Sequence, residues 1–463
     1  MQDTTTPGSG PVVRPGTYRL SLISPIITEQ FLVTSRKASA YRTDQVTAAE
    51  ALRSKAGEAW AVLIPEAPHE AATDSRDGGA RPIGWLDYGG KARTPHAFLR
   101  LMARQGHETF SNDGLTARCN ARWYNIHDFG VLVFGWTFEV DVPDGVSPER
   151  LRAFADWLSE SQLPGRVAAE AQDVCALIAK TLPKQIDTTV QDQIEHLDDD
   201  ADWGFQPISV HRVWSFIPDT LPEGGIAALR PLFEVATLDG LNPAEVGPGA
   251  LAWSGYMNSF VVAPDAGVER YSPEPLIAYY GYAYATMLLL DERLFFAAER
   301  FLNRTAQDSK GKWTGARARK LRERLRLFRD MTTFFLHRHH DELGVLKPFE
   351  RQLWGQLMGS WRFEALARDL EQKREFLNEI YDQAAARAQE RLQMLTNVVF
   401  GILTSLTLIS VIGDFAWFFR DGTSGSSEII NTADMWRWAW AMGALGATVF
   451  GIVFVLFTRA RRM

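Results

Sequence analysis

Residues 394–412, MLTNVVFGILTSLTLISVI, and residues 438–457, WAWAMGALGATVFGIVFVLF, are the two stretches that decide the expected fold. Neither stretch contains Asp, Glu, Lys, Arg or His. A helix of about 20 residues rises roughly 30 Å, which matches the hydrocarbon thickness of a lipid bilayer. Each stretch therefore predicts a transmembrane helix, and together they predict a C-terminal membrane hairpin.

The residues that flank the two stretches predict their orientation. Arg387 and Arg391 precede the first stretch, and Arg459, Arg461 and Arg462 follow the second. Basic residues concentrate on the cytoplasmic side of membrane helices, so both termini are expected in the cytoplasm. Arg outnumbers Lys in the chain, which is typical of a GC-rich bacterial genome. We therefore expect the bacterial inner membrane, with membrane lipid as a partner.

Polar residues gather on one side of the first stretch. Asn397, Gly401, Thr404 and Thr407 fall within about half of the helix circumference at 100° per residue. Polar side chains at membrane depth are expected to face protein or water. They are consistent with the lining of a pore and equally with hydrogen bonds between helices.

Apolar residues also recur at helical spacing in the segment that precedes the first stretch. They predict one long stalk helix that begins near residue 346 and continues into the first span. A lone helix would leave this apolar stripe exposed, so we expect it to pack within a homo-oligomer. The stripe comprises Trp354, Leu357, Trp361, Leu366, Leu370, Leu377, Ile380, Ala384, Ala388, Leu392 and Leu395.

This order of elements resembles the CorA-type divalent-cation channel family. The local similarity consists of Asn378, the pair Leu395-Thr396, residues 406–409 and the basic residues from Arg459 to Arg462. The resemblance implies an α/β cytoplasmic domain, a long helical stalk and a two-helix C-terminal transmembrane hairpin. It also implies a homopentamer, a divalent cation such as Mg²⁺, and an inner basic ring formed by Arg459, Arg461 and Arg462.

The sequence departs from this family at its hallmark motif. Family members carry Gly-x-Asn at the end of the pore helix, whereas this chain reads Ile412-Gly413-Asp414. The missing asparagine puts magnesium selectivity in doubt. A ring of Asp414 carboxylates at the outer mouth would attract cations. The alternative is that Asp414 is only a polar residue at the membrane interface.

The remainder of the chain predicts a mixed cytoplasmic domain. Runs rich in β-branched and aromatic residues occur at 18–24, 59–64, 117–126, 129–142, 208–217 and 250–262, and helical patterns occur at 148–159, 166–182 and from 273 onward. The predicted organisation is a disordered N-terminus (1–15), an α/β domain with an added subdomain (16–270), the stalk region (271–393), the first span (394–419), an external loop (420–434), the second span (435–458) and a basic tail (459–463).

Charge and cysteine content narrow the class of protein. The formal net charge of −7 argues against a general nucleic-acid binder, because phosphate contacts need a basic surface. The two cysteines, Cys119 and Cys175, are too few for a disulfide framework and are expected to be buried thiols.

Two clusters invite a metal-site interpretation. The acidic residues Asp198, Asp199, Asp200 and Asp202 offer oxygen ligands to a hard cation, although such runs are usually solvated loops. His337, His339 and His340 lie close together on a predicted helix that Gly344 is placed to end. Histidines at a helix C-terminus are also stabilised by the helix dipole, without any metal.

Two functions follow as expectations. The first is a divergent CorA-like homo-oligomeric cation channel, gated through its cytoplasmic domain. The second is a membrane-tethered sensor or effector, whose cytoplasmic domain binds a ligand or protein and whose hairpin only anchors and oligomerises. We find no phosphate-binding glycine loop, nucleophile elbow or paired-cysteine motif, so the sequence does not predict an enzyme.

Overall fold

The computed structural model describes most of the first 422 residues. The described residues are 12–422 except 33–37, 65–96, 105–107, 144, 185, 187–204, 223–224, 233–242, 256, 265–272, 308–314, 345, 347 and 362, together with 437, 440, 441, 443, 444, 446, 448 and 451.

A mixed sheet of ten strands forms the centre of the described fold. The strand order is β2-β3-β5-β6-β1-β7-β10-β9-β8, with β4 paired to β5. All pairs are antiparallel except β7 and β10, which are parallel. The strands are β1 (Gly16–Phe31), β2 (Trp60–Leu63), β3 (Leu99–Ala103), β4 (Thr109–Asn112), β5 (Leu115–Ile126), β6 (Phe129–Val142), β7 (His211–Phe216), β8 (Ala244–Gly247), β9 (Ala250–Ser254) and β10 (Asn258–Val262).

Seven α-helices accompany the sheet in the described chain. They are α1 (Ala38–Lys55), α2 (Pro148–Trp157), α3 (Pro164–Thr181), α4 (Glu274–Gln307), α5 (Gly315–Leu343), α6 (Pro348–Trp361) and α7 (Phe363–Gly422). Ser147 begins α2, since its side chain accepts a hydrogen bond from the backbone N–H of Arg150. Gly344 follows α5, as its sequence position predicts.

The central strands are buried on both faces, which explains their nearly continuous apolar sequences. In β6 the first ten residues are all buried. One face of the sheet packs under α1, α2 and α3 and contains large side chains such as Trp136, Phe138 and Trp214. Cys119 and Cys175 belong to this core, so the prediction of buried thiols is confirmed.

The other face of the sheet is lined by smaller and more polar side chains. Ser21 and Thr137 face each other across β1 and β6, with their hydroxyl oxygens 3.2 Å apart. Glu274, at the start of α4, accepts hydrogen bonds from Ser21 at 2.6 Å and from Arg19 at 3.1 Å. Helix α6 covers β8 to β10 on this face through Leu353, which packs in a cluster of alanines and valines.

On this second face the ring of Trp123 packs so close to the backbone of Gly135 that no side chain fits there. A β-carbon at Gly135 would lie 2.1 Å from the nearest atom of the Trp123 ring, and the Arg100 guanidinium lies 4.7 Å from that ring centroid.

We expect Gly135→Ala to lower the free energy of unfolding by about 1–3 kcal/mol, because the Trp123 ring must move. Urea unfolding measures the change. Gly165→Ala, where a β-carbon meets nothing within 4 Å, is the control, and equal losses in both variants would contradict the prediction.

The structure divides into two compact units. The first contains Met1–Arg300 and Glu323–Arg374, and the second contains Phe301–Arg322 and Glu375–Met463. The first unit therefore includes the whole described sheet. The stalk predicted as one helix from residue 346 contains α6 and α7, and residue 362 between them lies outside the described residues. Helix α7 continues to Gly422.

The predicted transmembrane hairpin is corrected by the structure. Among the helices of the described chain, none combines the length and the apolar character needed to cross a bilayer. Most of 438–457 lies outside the described residues. The transmembrane fold class, the membrane-protein class and the inner-membrane location are thus wrong for the described chain, because absence of charge alone does not establish a span.

Candidate functional site

Helix α7 exposes large apolar side chains along residues 394–411, which we call the apolar segment. Seven such side chains are between 46% and 66% exposed, and at 100° per residue they occupy roughly two thirds of the helix circumference. No charged residue occurs between Leu392 and Gly413. Exposed apolar surface of this extent is typical of an interaction site. The seven residues are Met394, Val399, Phe400, Leu403, Leu406, Leu408 and Val411.

The residues predicted to line a pore lie in this apolar segment. Asn397, Gly401, Thr404 and Thr407 are all exposed on α7. The hydroxyls of Thr404 and Thr407 donate hydrogen bonds of 2.7 Å and 2.8 Å to the carbonyl oxygens four residues earlier. Because their own helix satisfies these donors, hydrogen bonding alone does not require a partner helix or a pore at these two positions.

Other predicted site residues fall where the structure gives no side-chain description. Asp414 belongs to α7, but its side chain is outside the described set. Arg459, Arg461 and Arg462 lie outside the described residues, as do Asp198, Asp199, Asp200 and Asp202. The outer-mouth, basic-ring and acidic metal-site interpretations thus stay predictions.

The histidines near the end of α5 do not converge on a metal. His337 and His340 are exposed, whereas His339 is buried. Within the described residues no group of three or more His, Cys, Asp or Glu side chains is arranged to hold a metal ion. These histidines therefore have separate environments, and only His339 belongs to the core.

His339 is part of an aromatic cluster between α4, α5 and α6. Its Nδ1 lies 3.1 Å from the Tyr279 hydroxyl oxygen, and its ring stacks on Phe335 with centroids 5.9 Å apart. Trp354 of α6 packs on both Tyr279 and His339. Burial, and then the neighbouring His340, lowers the pKa of His339 to about 4. The ring is therefore neutral at physiological pH and serves as a packed hydrogen-bonding group.

An ion pair joins the β5–β6 turn to α4 and α5. Asp128 accepts a hydrogen bond of 2.7 Å from Arg338 Nη1 and one of 3.1 Å from the Tyr282 hydroxyl. The side chains of Asp128 and Arg338 are 7% and 16% exposed. His127 stacks on the Tyr282 ring, with centroids 3.9 Å apart. We call Asp128, Tyr282 and Arg338 the turn–helix cluster, and its burial makes it a positional constraint between sheet and helices.

A chain of buried polar groups crosses strands β7, β10 and β9. His211 Nε2 lies 2.7 Å from Ser259 Oγ, which lies 2.8 Å from Ser254 Oγ. Burial, and then the adjacent Arg212, lowers the pKa of His211 to about 3. A His–Ser contact is also the arrangement of an activated nucleophile. All three side chains are at most 3% exposed, so no substrate reaches the hydroxyls in this conformation.

The sequence alone predicted neither the turn–helix cluster nor the chain of buried polar groups. The turn–helix cluster joins residues 210 positions apart, which periodicity does not predict. The polar chain did leave a signal, because its member His211 lies in a strand whose six residues are all buried although three of them, His211, Arg212 and Ser215, are polar. Buried polar groups need hydrogen-bond partners, so such residues mark internal networks.

Comparison with known proteins gives no relative. No protein-family model, curated protein or solved structure matches the chain. The similarity to CorA-type channels therefore stays a prediction based on the residues quoted above, and ion transport gains no support from these comparisons.

Proposed function

We propose that the protein is a homo-oligomeric sensor or effector. In this proposal the first unit binds a ligand or another protein, and copies of the chain associate through the apolar segment of α7. The exposed, charge-free surface of that segment is the observation that carries the proposal. Ion conduction depends on membrane spans and is not part of it.

A second copy of the chain is the partner that fits the apolar segment best. The exposed apolar side chains occupy roughly two thirds of the helix circumference, more than a single shallow groove covers. Several identical helices cover one another on several sides, as in helical bundles. Because the segment has no charge, two copies meet without leaving an ion unpaired.

The buried polar groups of the first unit support its assignment as the sensing or effector part. The turn–helix cluster fixes the β5–β6 turn to α4 and α5. A change in the sheet at that turn would therefore alter contacts with two helices. Coupling of this kind is what a sensor needs to transmit binding.

The apolar segment gives the test of association. We expect the full-length protein to sediment as an oligomer, and the double variant Phe400→Glu/Leu403→Glu to sediment with the mass of one chain. Both residues are more than half exposed, so the glutamates should leave the folding of the first unit intact while charging the interface. Sedimentation velocity and multi-angle light scattering measure the mass.

Phe295→Glu is the matched control. Phe295 is 52% exposed on α4, outside the apolar segment, and its replacement should leave the oligomer unchanged. A monomeric full-length protein would refute the proposal, as would an oligomer that survives both glutamates. A third outcome would also refute it. If the protein does not self-associate but floats with phospholipid vesicles, and the two glutamates abolish this flotation, lipid is the partner of the segment.

A further inference from the structure

Helix α6 lies between the sheet and helices α4 and α5, and its two sides are packed very differently. Towards the helices, Trp354 contacts the rings of Tyr279, Tyr280 and His339, with centroid distances between 5.2 and 5.7 Å. Leu357 also presents its carbonyl oxygen to the Tyr280 hydroxyl at 3.4 Å. Large aromatic side chains therefore hold α6 to the helices.

Towards the sheet, the contacts of α6 include small apolar side chains of the strands and two glutamines of the helix. Leu353 and Phe349 pack on a cluster of small residues in β8 to β10. Alanine and valine offer little area for dispersion and hydrophobic contact, so this interface is weaker per residue than the aromatic one. The cluster comprises Ala244, Val246, Ala250, Ala252, Val261 and Ala263.

Two glutamines of α6 form hydrogen bonds with the sheet and the residue before β8. Gln356 Oε1 accepts a bond of 2.8 Å from the backbone N–H of Ser254, and Gln352 Nε2 donates one of 3.0 Å to the carbonyl oxygen of Pro243. The Ser254 N–H is thus satisfied by the helix rather than by a neighbouring strand. Ser254 is also the end of the polar chain that leads through Ser259 to His211.

We infer that α6 is a detachable coupling element. It separates from β8 to β10 as a folded helix while it stays packed on α4 and α5, and the separation uncovers Ser254, Ser259 and His211. Since α7 follows α6 in the chain, the same movement repositions the first residues of α7. The inference concerns the first unit alone and does not depend on association of copies.

The backbone amide of Ser254 reports this movement directly. Its N–H exchanges with solvent only when Gln356 withdraws, whereas the N–H groups of β6 are held by strand neighbours on both sides. In hydrogen-exchange measurements on the full-length protein, we expect the Ser254 amide to exchange at least tenfold faster than the amides in the middle of β6. Gln356→Leu should accelerate exchange at Ser254 by a further tenfold or more, because the amide loses its acceptor.

Substitutions at two glycines of α6 distinguish detachment of the folded helix from unfolding of the helix. Gly355 and Gly359 are exposed, and a β-carbon at either position meets nothing within 4 Å. Gly355→Ala/Gly359→Ala should slow exchange of the α6 amides several-fold, because alanine favours the helix, and should leave exchange at Ser254 unchanged. If instead the amides of Ser254, α6 and β6 respond together in these variants, the helix opens by unfolding and the inference is overturned. Equal exchange rates for Ser254 and β6 in the unchanged protein would overturn it as well.

Discussion

Replacing Arg338 by methionine is expected to lower the free energy of unfolding of the first unit by about 3–5 kcal/mol. Asp128 is then left as a buried carboxylate whose remaining partner in the turn–helix cluster is the Tyr282 hydroxyl. A buried charge without its counter-ion is among the most destabilising changes known for point mutants. Urea unfolding followed by tryptophan fluorescence measures the loss.

Arg326 provides the matched control for this variant. It also lies on α5 and pairs with a carboxylate, Asp330, at 3.7 Å, but its side chain is 66% exposed. Exposed pairs of this kind contribute roughly 0.2–1 kcal/mol, so Arg326→Met should change stability little. The double variant Asp128→Asn/Arg338→Met should recover part of the loss, because no buried charge remains. If Arg338→Met costs no more than Arg326→Met, the cluster does not constrain the sheet and helices.

The second large effect is loss of stability in mild acid. His211 and His339 are buried and neutral, with pKa values lowered to about 3 and about 4, mainly by burial. Unfolded histidine titrates near 6.5, so below that pH the unfolded chain binds protons that the folded chain does not. Folding is therefore fully favoured above pH 6.5 and weakens as the pH falls. Between pH 7 and pH 5 the expected loss is roughly 2 kcal/mol for each of these histidines.

The histidine contribution is measured by the slope of unfolding free energy against pH. His211→Gln should reduce the loss of unfolding free energy between pH 7 and pH 5 by the contribution of one histidine. This holds whatever the substitution does to stability at pH 7. His337→Gln is the control, because that ring is exposed in the folded chain. An unchanged slope in His211→Gln would mean that His211 accepts a proton in the folded state without cost, which contradicts its burial in the polar chain.

The strands of the sheet follow from local sequence where the pattern is strong. The run predicted at 129–142 coincides with β6, because its near-continuous apolar residues suit a strand buried on both faces. The run at 250–262 is divided into β9 and β10, which pair as a hairpin. Met257 in that turn has a φ of 57°, a conformation that residue type does not announce. Periodicity therefore locates strands better than it locates turns.

The end of the chain illustrates where one-dimensional patterns fail. A stretch without charge predicts burial, but it does not say whether lipid, another element or another copy provides the cover. The stripe predicted for the stalk is buried at Trp354, Leu357, Leu370 and Leu377, so its periodicity was informative there. No proline lies where α6 gives way to α7 within that stripe, and the nearest breaker in the sequence is the pair Gly359-Ser360. Contacts with the sheet, through Gln356 and Leu353, distinguish the two helices and are visible only in three dimensions.

The outermost strands of the described sheet limit how two copies of the chain can meet. Strands β2 and β8, which end the strand order, and β4, which lies off it, are each four residues long. So short an edge offers few unpaired backbone groups to a neighbouring molecule, and proteins use short edges to prevent sheets from growing into one another. Continuous intermolecular sheets and the fibres they form are thereby disfavoured along this part of the molecule.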